Sequence, residues 1–168
     1  AMFHLLAQTG MRKAEVTVVS GEKFTKLNFS WDNISWIIGG RHIRNPTAEQ
    51  LAGLTSEDYL VVRPPPSKSD QLGLHWGAAP IYLRFHATAP VNAARAVRYL
   101  AWQVNACNLT VEKRKTTPVF INFYTTAWTG DGIAKLFRKM LFVAGVPEEK
   151  IECYSMHSWR VYLACALL

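Results

Sequence analysis

The sequence predicts an α+β domain, mainly helical, with a small three-stranded antiparallel sheet. Three short apolar runs read as strands: 31–37 and 81–85 by their alternation, and 59–62 by its β-rich composition. Two longer stretches, 91–106 and 131–144, instead repeat apolar residues at i, i+3 and i+4. A length of 168 residues with 49% hydrophobic and 12% aromatic content suits one packed domain rather than a disordered tail.

In chain order, Met2-Phe3-His4-Leu5-Leu6-Ala7 reads as an apolar helical turn, closed by Thr9-Gly10. Residues 14–19 form a short helix or turn after Arg12. Trp31-Asp32-Asn33-Ile34-Ser35-Trp36-Ile37 alternates as a strand, and Gly39-Gly40 turns it. Residues 59–62 make a second strand, halted by Pro64-Pro65-Pro66. A polar loop over 67–71 carries Lys68 and leads towards the third strand, Ile81-Tyr82-Leu83-Arg84-Phe85. In the helix over 91–106, Ala94, Val97, Leu100, Ala101 and Val104 share one face, with Arg95 and Arg98 outside it. Residues 107–118 read as a basic linker holding Lys113, Arg114 and Lys115. The clearest helix, over 131–144, places Ile133, Leu136, Phe137, Met140, Leu141 and Ala144 on one face. Thr129 or Asp131 caps it, and Gly145 with Pro147 ends it. His157-Ser158-Trp159-Arg160 then opens a last apolar helix that reaches Leu168 without a stop signal. Both ends read as cuts through helices.

The net charge of +7 and a pI near 9.5 point to a polyanionic partner, nucleic acid before an acidic membrane surface. Cys107, Cys153 and Cys165 lie far apart without CxxC spacing; this implies neither a zinc site nor a disulfide framework and fits a reducing compartment. No apolar run approaches the roughly 20 residues that span a bilayer, and no signal-peptide pattern opens the chain. The expectation is a soluble intracellular protein with no membrane partner. Neither a GxxxxGK[ST] phosphate loop nor a GxSxG elbow occurs, and His75, Trp76 and His86 show no metal-ligand spacing. No metal or cofactor is implied.

Four residues combine into a coherent set. Arg12 follows Thr9-Gly10-Met11 at a helix start, three residues before Glu15. Lys68 lies between two expected strands. His157 and Arg160, three apart on a helix, share a face with about 5–6 Å between β-carbons. A titratable imidazole and a permanently charged planar fork suit one anion. Each also has an ordinary reading: a local ion pair, a solvated loop lysine, a capping pair. Their order along the chain is what joins them.

Thr9-Gly10-Met11-Arg12-Lys13-Ala14-Glu15 resembles the first arginine box of the tyrosine recombinases, the phage-integrase type of DNA breaking-and-rejoining enzymes. Trp31-Asp32-Asn33-Ile34 resembles the strand after that box. Pro65-Pro66-Ser67-Lys68-Ser69-Asp70 resembles the hairpin lysine, and His157-Ser158-Trp159-Arg160 the second arginine box, where the family usually has Leu or Gly in place of Trp159. The resemblance implies a recombinase-like fold. Residues 1–168 would be part of a catalytic domain, with an N-terminal DNA-binding domain and a C-terminal tyrosine segment absent.

In this family a tyrosine hydroxyl attacks a DNA phosphodiester, leaving a 3′-phosphotyrosyl link and a free 5′-hydroxyl. A second 5′-hydroxyl reverses the step without ATP. By resemblance, Arg12 and Arg160 clamp the non-bridging oxygens, each such donor contributing roughly 10²–10³ in rate. Lys68 protonates the departing 5′-oxygen, His157 moves the nucleophile's proton, and Glu15 orients Arg12. None of Tyr59, Tyr82, Tyr99, Tyr124, Tyr154 and Tyr162 stands in the family order. No nucleophile is therefore expected in this chain, and by itself it is expected not to cleave DNA.

The implied function is site-specific DNA recombination or integration of a mobile element, acting on double-stranded DNA in a prokaryotic cytoplasm or a eukaryotic nucleus. The parent would assemble as a tetramer, with this fragment monomeric. Three alternatives stand beside it: a type IB topoisomerase relative, a non-catalytic DNA-binding module derived from a recombinase, and a globule with a chance constellation. Arg41 and Arg44, beyond Gly39-Gly40, are further candidate contacts to the DNA backbone, as are Lys113, Arg114 and Lys115. Their ordinary readings are a hairpin tip and a solvated linker.

Overall fold

The structure, a computed structural model, describes residues 1–66, 72, 79–158 and 165. It is an α+β arrangement. Among the described residues there are seven α-helices and one four-stranded antiparallel sheet. Helix α1 (Met2–Thr9) buries Met2, Leu5, Leu6 and Ala7, and Gly10 ends it in the left-handed conformation, φ 64°, with its N–H donating to the Leu6 carbonyl. Only glycine enters that region without steric cost. One turn later the chain starts α2 (Lys13–Val16), with Arg12 at its N-cap.

The sheet corrects the expectation of three strands. Trp31–Asn33 forms a 3-10 turn rather than the start of a strand. Strand β1 follows as Ile34–Ile38, and β2 (Arg41–Ile43) returns beside it. Gly39 and Gly40 both carry positive φ, 56° and 76°, as a tight hairpin requires. The Asp58 carboxylate accepts the Gly39 N–H at 2.8 Å and the Thr55 N–H at 2.7 Å, tying this turn to the entry of β3. Helix α3 (Ala48–Ala52), capped by Thr47, separates β2 from β3 (Tyr59–Val62). The sheet closes with β4 (Ile81–Arg84), in the order β2-β1-β3-β4.

Register explains the core. Ile34 pairs with Val62, Trp36 with Leu60, and Leu60 with Leu83, so these apolar side chains share one face. That face meets α4 (Ala93–Gln103), which buries Ala93, Ala94, Val97 and Ala101 and is shorter than the expected 91–106. Arg98 flanks it with its guanidinium over the rings of Phe85, Tyr99 and Trp102, each about 4.8–4.9 Å away. Helix α1 packs on α4, and the Gln8 side-chain carbonyl accepts the Ala93 N–H at 2.6 Å.

The stretch expected to be a basic linker contains a helix, α5 (Val111–Thr116), capped by Thr110. It packs on the Trp31–Asn33 turn because Arg114 points into the core there. Helix α6 (Gly130–Val143), capped by Thr129, buries Ile133 and Phe137, with Leu136 and Leu141 partly covered. Met140 and Ala144, expected inward, are exposed, since the element packed on that end, α7 (Glu148–Ile151), has only four residues. No helix among the described residues is long and apolar enough to cross a membrane.

Candidate functional site

Backbone pairing brings the start of the chain to its far end. Val18 N–H donates to the Trp128 carbonyl at 3.0 Å, and Gly130 N–H returns a bond to the Val18 carbonyl at 3.1 Å. This holds the segment after α2 against the first residues of α6. Ile151, the last residue of α7, and Met156 beyond it are buried and anchor the chain on its way to Ser158.

Arg12 and His157 border the same cavity, an open one of about 310 Å³, with Lys13, Ala14, Ser155 and Met156. The Arg12 side chain is 45% exposed, whereas that of Glu15 is 11% exposed. Glu15 holds Arg12 twice: Oε2 accepts the Arg12 backbone N–H at 2.6 Å, and Oε1 lies 3.5 Å from Nη1. Glu15 thus contacts both the backbone and the guanidinium of Arg12.

His157 is exposed, in the turn that leads into helical geometry at Ser158. Ser155 and Ser158 shape that turn. The His157 N–H donates to Ser155 Oγ at 3.2 Å, the Ser155 N–H to Ser158 Oγ at 3.2 Å, and the Ser158 N–H to the Ser155 carbonyl at 2.9 Å. A serine three residues before an apolar helix is a capping signal legible in the sequence, and Ser155 was not singled out from it. Lys13 was also missed. It lines the same cavity, and its only sequence signal is adjacency to Arg12.

Lys68 and Arg160 lie outside the described residues, as does Trp159. In sequence Lys68 falls between β3 and β4, which are antiparallel neighbours.

The additional basic candidates part company. Arg114 is not a surface contact. It is 3% exposed, and its guanidinium donates to the Trp31 carbonyl at 2.7 Å, the Ile34 carbonyl at 2.8 Å and Asn45 Oδ1 at 3.0 Å. Burial lowers its pKa from the ordinary arginine value, with nearby Asp32 opposing and Arg44 adding to the drop. Arg41 is exposed on β2. Arg44 pairs with Asp32 at 2.9 Å, and Lys115 with Glu112 at 3.1 Å; Lys113 is exposed. Lys115 and Asp32 line another surface concavity with Lys26, Ser30 and Asn33. Burial raises the Cys107 thiol pKa, which disfavours the reactive thiolate.

An arginine, a lysine and a histidine around one solvent-open cleft offer fixed positive charge and a titratable donor to an anion. Comparison with family models, curated proteins and solved structures finds no match to this chain.

Proposed function

We propose that this chain binds double-stranded DNA at the Arg12–His157 cleft and belongs to a site-specific recombinase of the tyrosine type. One observation carries the reading. Arg12 and His157, from motifs near opposite ends of the sequence, line a single cavity, with Glu15 bracing the arginine. A chance pair of motifs has no reason to converge. In the proposed reaction Arg12 holds a non-bridging oxygen of the phosphodiester and His157 assists proton movement at the same phosphorus. Lys68 and Arg160 complete the set by sequence resemblance alone.

The test uses duplex DNA and the imidazole signals of His157. Binding should weaken steeply with salt, as phosphate neutralisation demands. Orthovanadate, a phosphate mimic, should shift the His157 resonances in the native chain and leave them in place in Arg12→Ala. Salt-insensitive binding, or vanadate shifts that survive loss of Arg12, would sink the proposal. The chain alone should form no covalent adduct on a nicked duplex, because none of its tyrosines stands in the family order.

A further inference from the structure

Arg12 and Lys13 are consecutive at the start of α2, and residues one apart there do not face the same way. The cavities follow that divergence. Arg12 lines the cleft with His157, whereas Lys13 and Ala14 line both that cleft and an adjoining cavity of about 220 Å³. The second cavity is completed by Thr17, Val18, Val19, Ser20, Gly130 and Asp131. Lys13 passes over Gly130: a β-carbon at that position would stand 3.3 Å from Lys13 Cε and 3.5 Å from Nζ. Among the described residues no carboxylate lies within ion-pair distance of the Lys13 ammonium, although Asp131 borders the same cavity. Lys13 is thus a cation on the shared wall of two adjoining, solvent-open cavities.

We infer that Lys13 holds a second phosphate of the same DNA strand, next to the one at Arg12 and His157. The inference rests on the DNA reading above and deepens it. Successive phosphates along one strand present one charge per 3.4 Å of helix axis. Two cations on consecutive residues, one of them reaching into an adjoining cavity as well, match such a repeat better than they match one isolated anion. Lys13 then acts as a positioning residue: it sets the register of the strand so that the neighbouring phosphodiester reaches Arg12. Asp131 opposes this binding by charge.

The experiment measures duplex affinity against salt by fluorescence anisotropy for the native chain, Lys13→Gln, Lys13→Arg, Asp131→Asn and the control Lys150→Gln on α7. Lys13→Gln should lower the log–log salt slope by about 0.9 and weaken binding on the order of eightfold at 0.1 M salt. Lys13→Arg should restore most of the slope, Asp131→Asn should tighten binding, and Lys150→Gln should change neither by as much. Circular dichroism reports folding of each variant. Should Lys13→Gln misfold, the opposite sign expected of Asp131→Asn still decides the matter. A native chain that binds DNA with an unchanged slope in Lys13→Gln and no gain in Asp131→Asn overturns this inference and spares the DNA reading. A native chain without salt-sensitive binding overturns both.

Discussion

Arg114 and Arg12 carry the same guanidinium and meet opposite fates. Arg114 lies in the core at 3% exposure, its fork engaged by two backbone carbonyls and Asn45. Arg12 stands at 45% side-chain exposure on the wall of an open cleft, braced by Glu15. A planar, five-donor cation can replace missing backbone partners where strands and turns end, or it can meet an external anion. The acceptors around it decide which. Membership of a basic run does not, since Arg114 sits between two surface lysines and is itself inaccessible.

Five variants sharpen this contrast, starting with the largest expected effect. Arg114→Ala should lower unfolding free energy by about 3 kcal/mol, because it strands buried carbonyls and leaves a void. Urea denaturation reads this. Arg114→Lys should recover little, since an ammonium lacks the fork that serves three separate acceptors. A drop in DNA affinity without loss of stability would break the comparison.

Arg12→Ala should behave inversely, with duplex affinity falling about tenfold or more, the size of one charge-assisted hydrogen bond, and stability within about 1 kcal/mol of native. Parallel anisotropy and denaturation measurements check both halves.

Lys115→Ala should come next, with a stability change of roughly 0–1 kcal/mol, because its pairing with Glu112 is on the surface. Equality with Arg114→Ala in denaturation would show that the run acts as one unit.

The smallest effect concerns pH. Desolvation holds the His4 pKa below its ordinary 6.5, the amino terminus and Arg95 add to the drop, and a backbone contact with Asn92 opposes it. The folded state therefore favours the neutral imidazole, and the unfolded chain takes up the proton more readily. Stability from this group is full above about pH 6.5 and declines as pH falls from there towards the folded pKa. Thermal midpoints of His4→Gln should decline less than native between pH 7 and pH 5. A steeper decline would contradict the assignment.

Elements with an apolar pattern were legible in the sequence, including the four-residue strands β3 and β4, and polar ones were not. Helix α6 announced itself by i, i+3, i+4 spacing and by Thr129 at its start, and α1 by an apolar turn closed at Gly10. Strand β2 did not, because three residues, Arg-His-Ile, on an exposed edge carry almost no pattern. Helix α5 was hidden among charges: its buried residue is Arg114, and hydrophobic periodicity has no term for an arginine that goes inside. Part of the candidate site was legible because Arg12 and Glu15 stand three residues apart at a helix start. Their convergence with Ser155 and His157 depends on pairing between Val18 and the residues before α6, which no local pattern announces. Lys13 has no sequence signal besides adjacency to Arg12, because the two cavities it lines form only in the fold.

The central claim is that Arg12 and His157 act on one phosphate. A double-mutant cycle in duplex DNA affinity, with Arg12→Ala, His157→Ala and the pair, tests it most directly. Residues sharing one ligand should couple by about 0.5–3 kcal/mol, so the double variant should lose markedly less than the sum of the single losses. Losses that add within about 0.3 kcal/mol would mean two independent contacts and contradict a shared site.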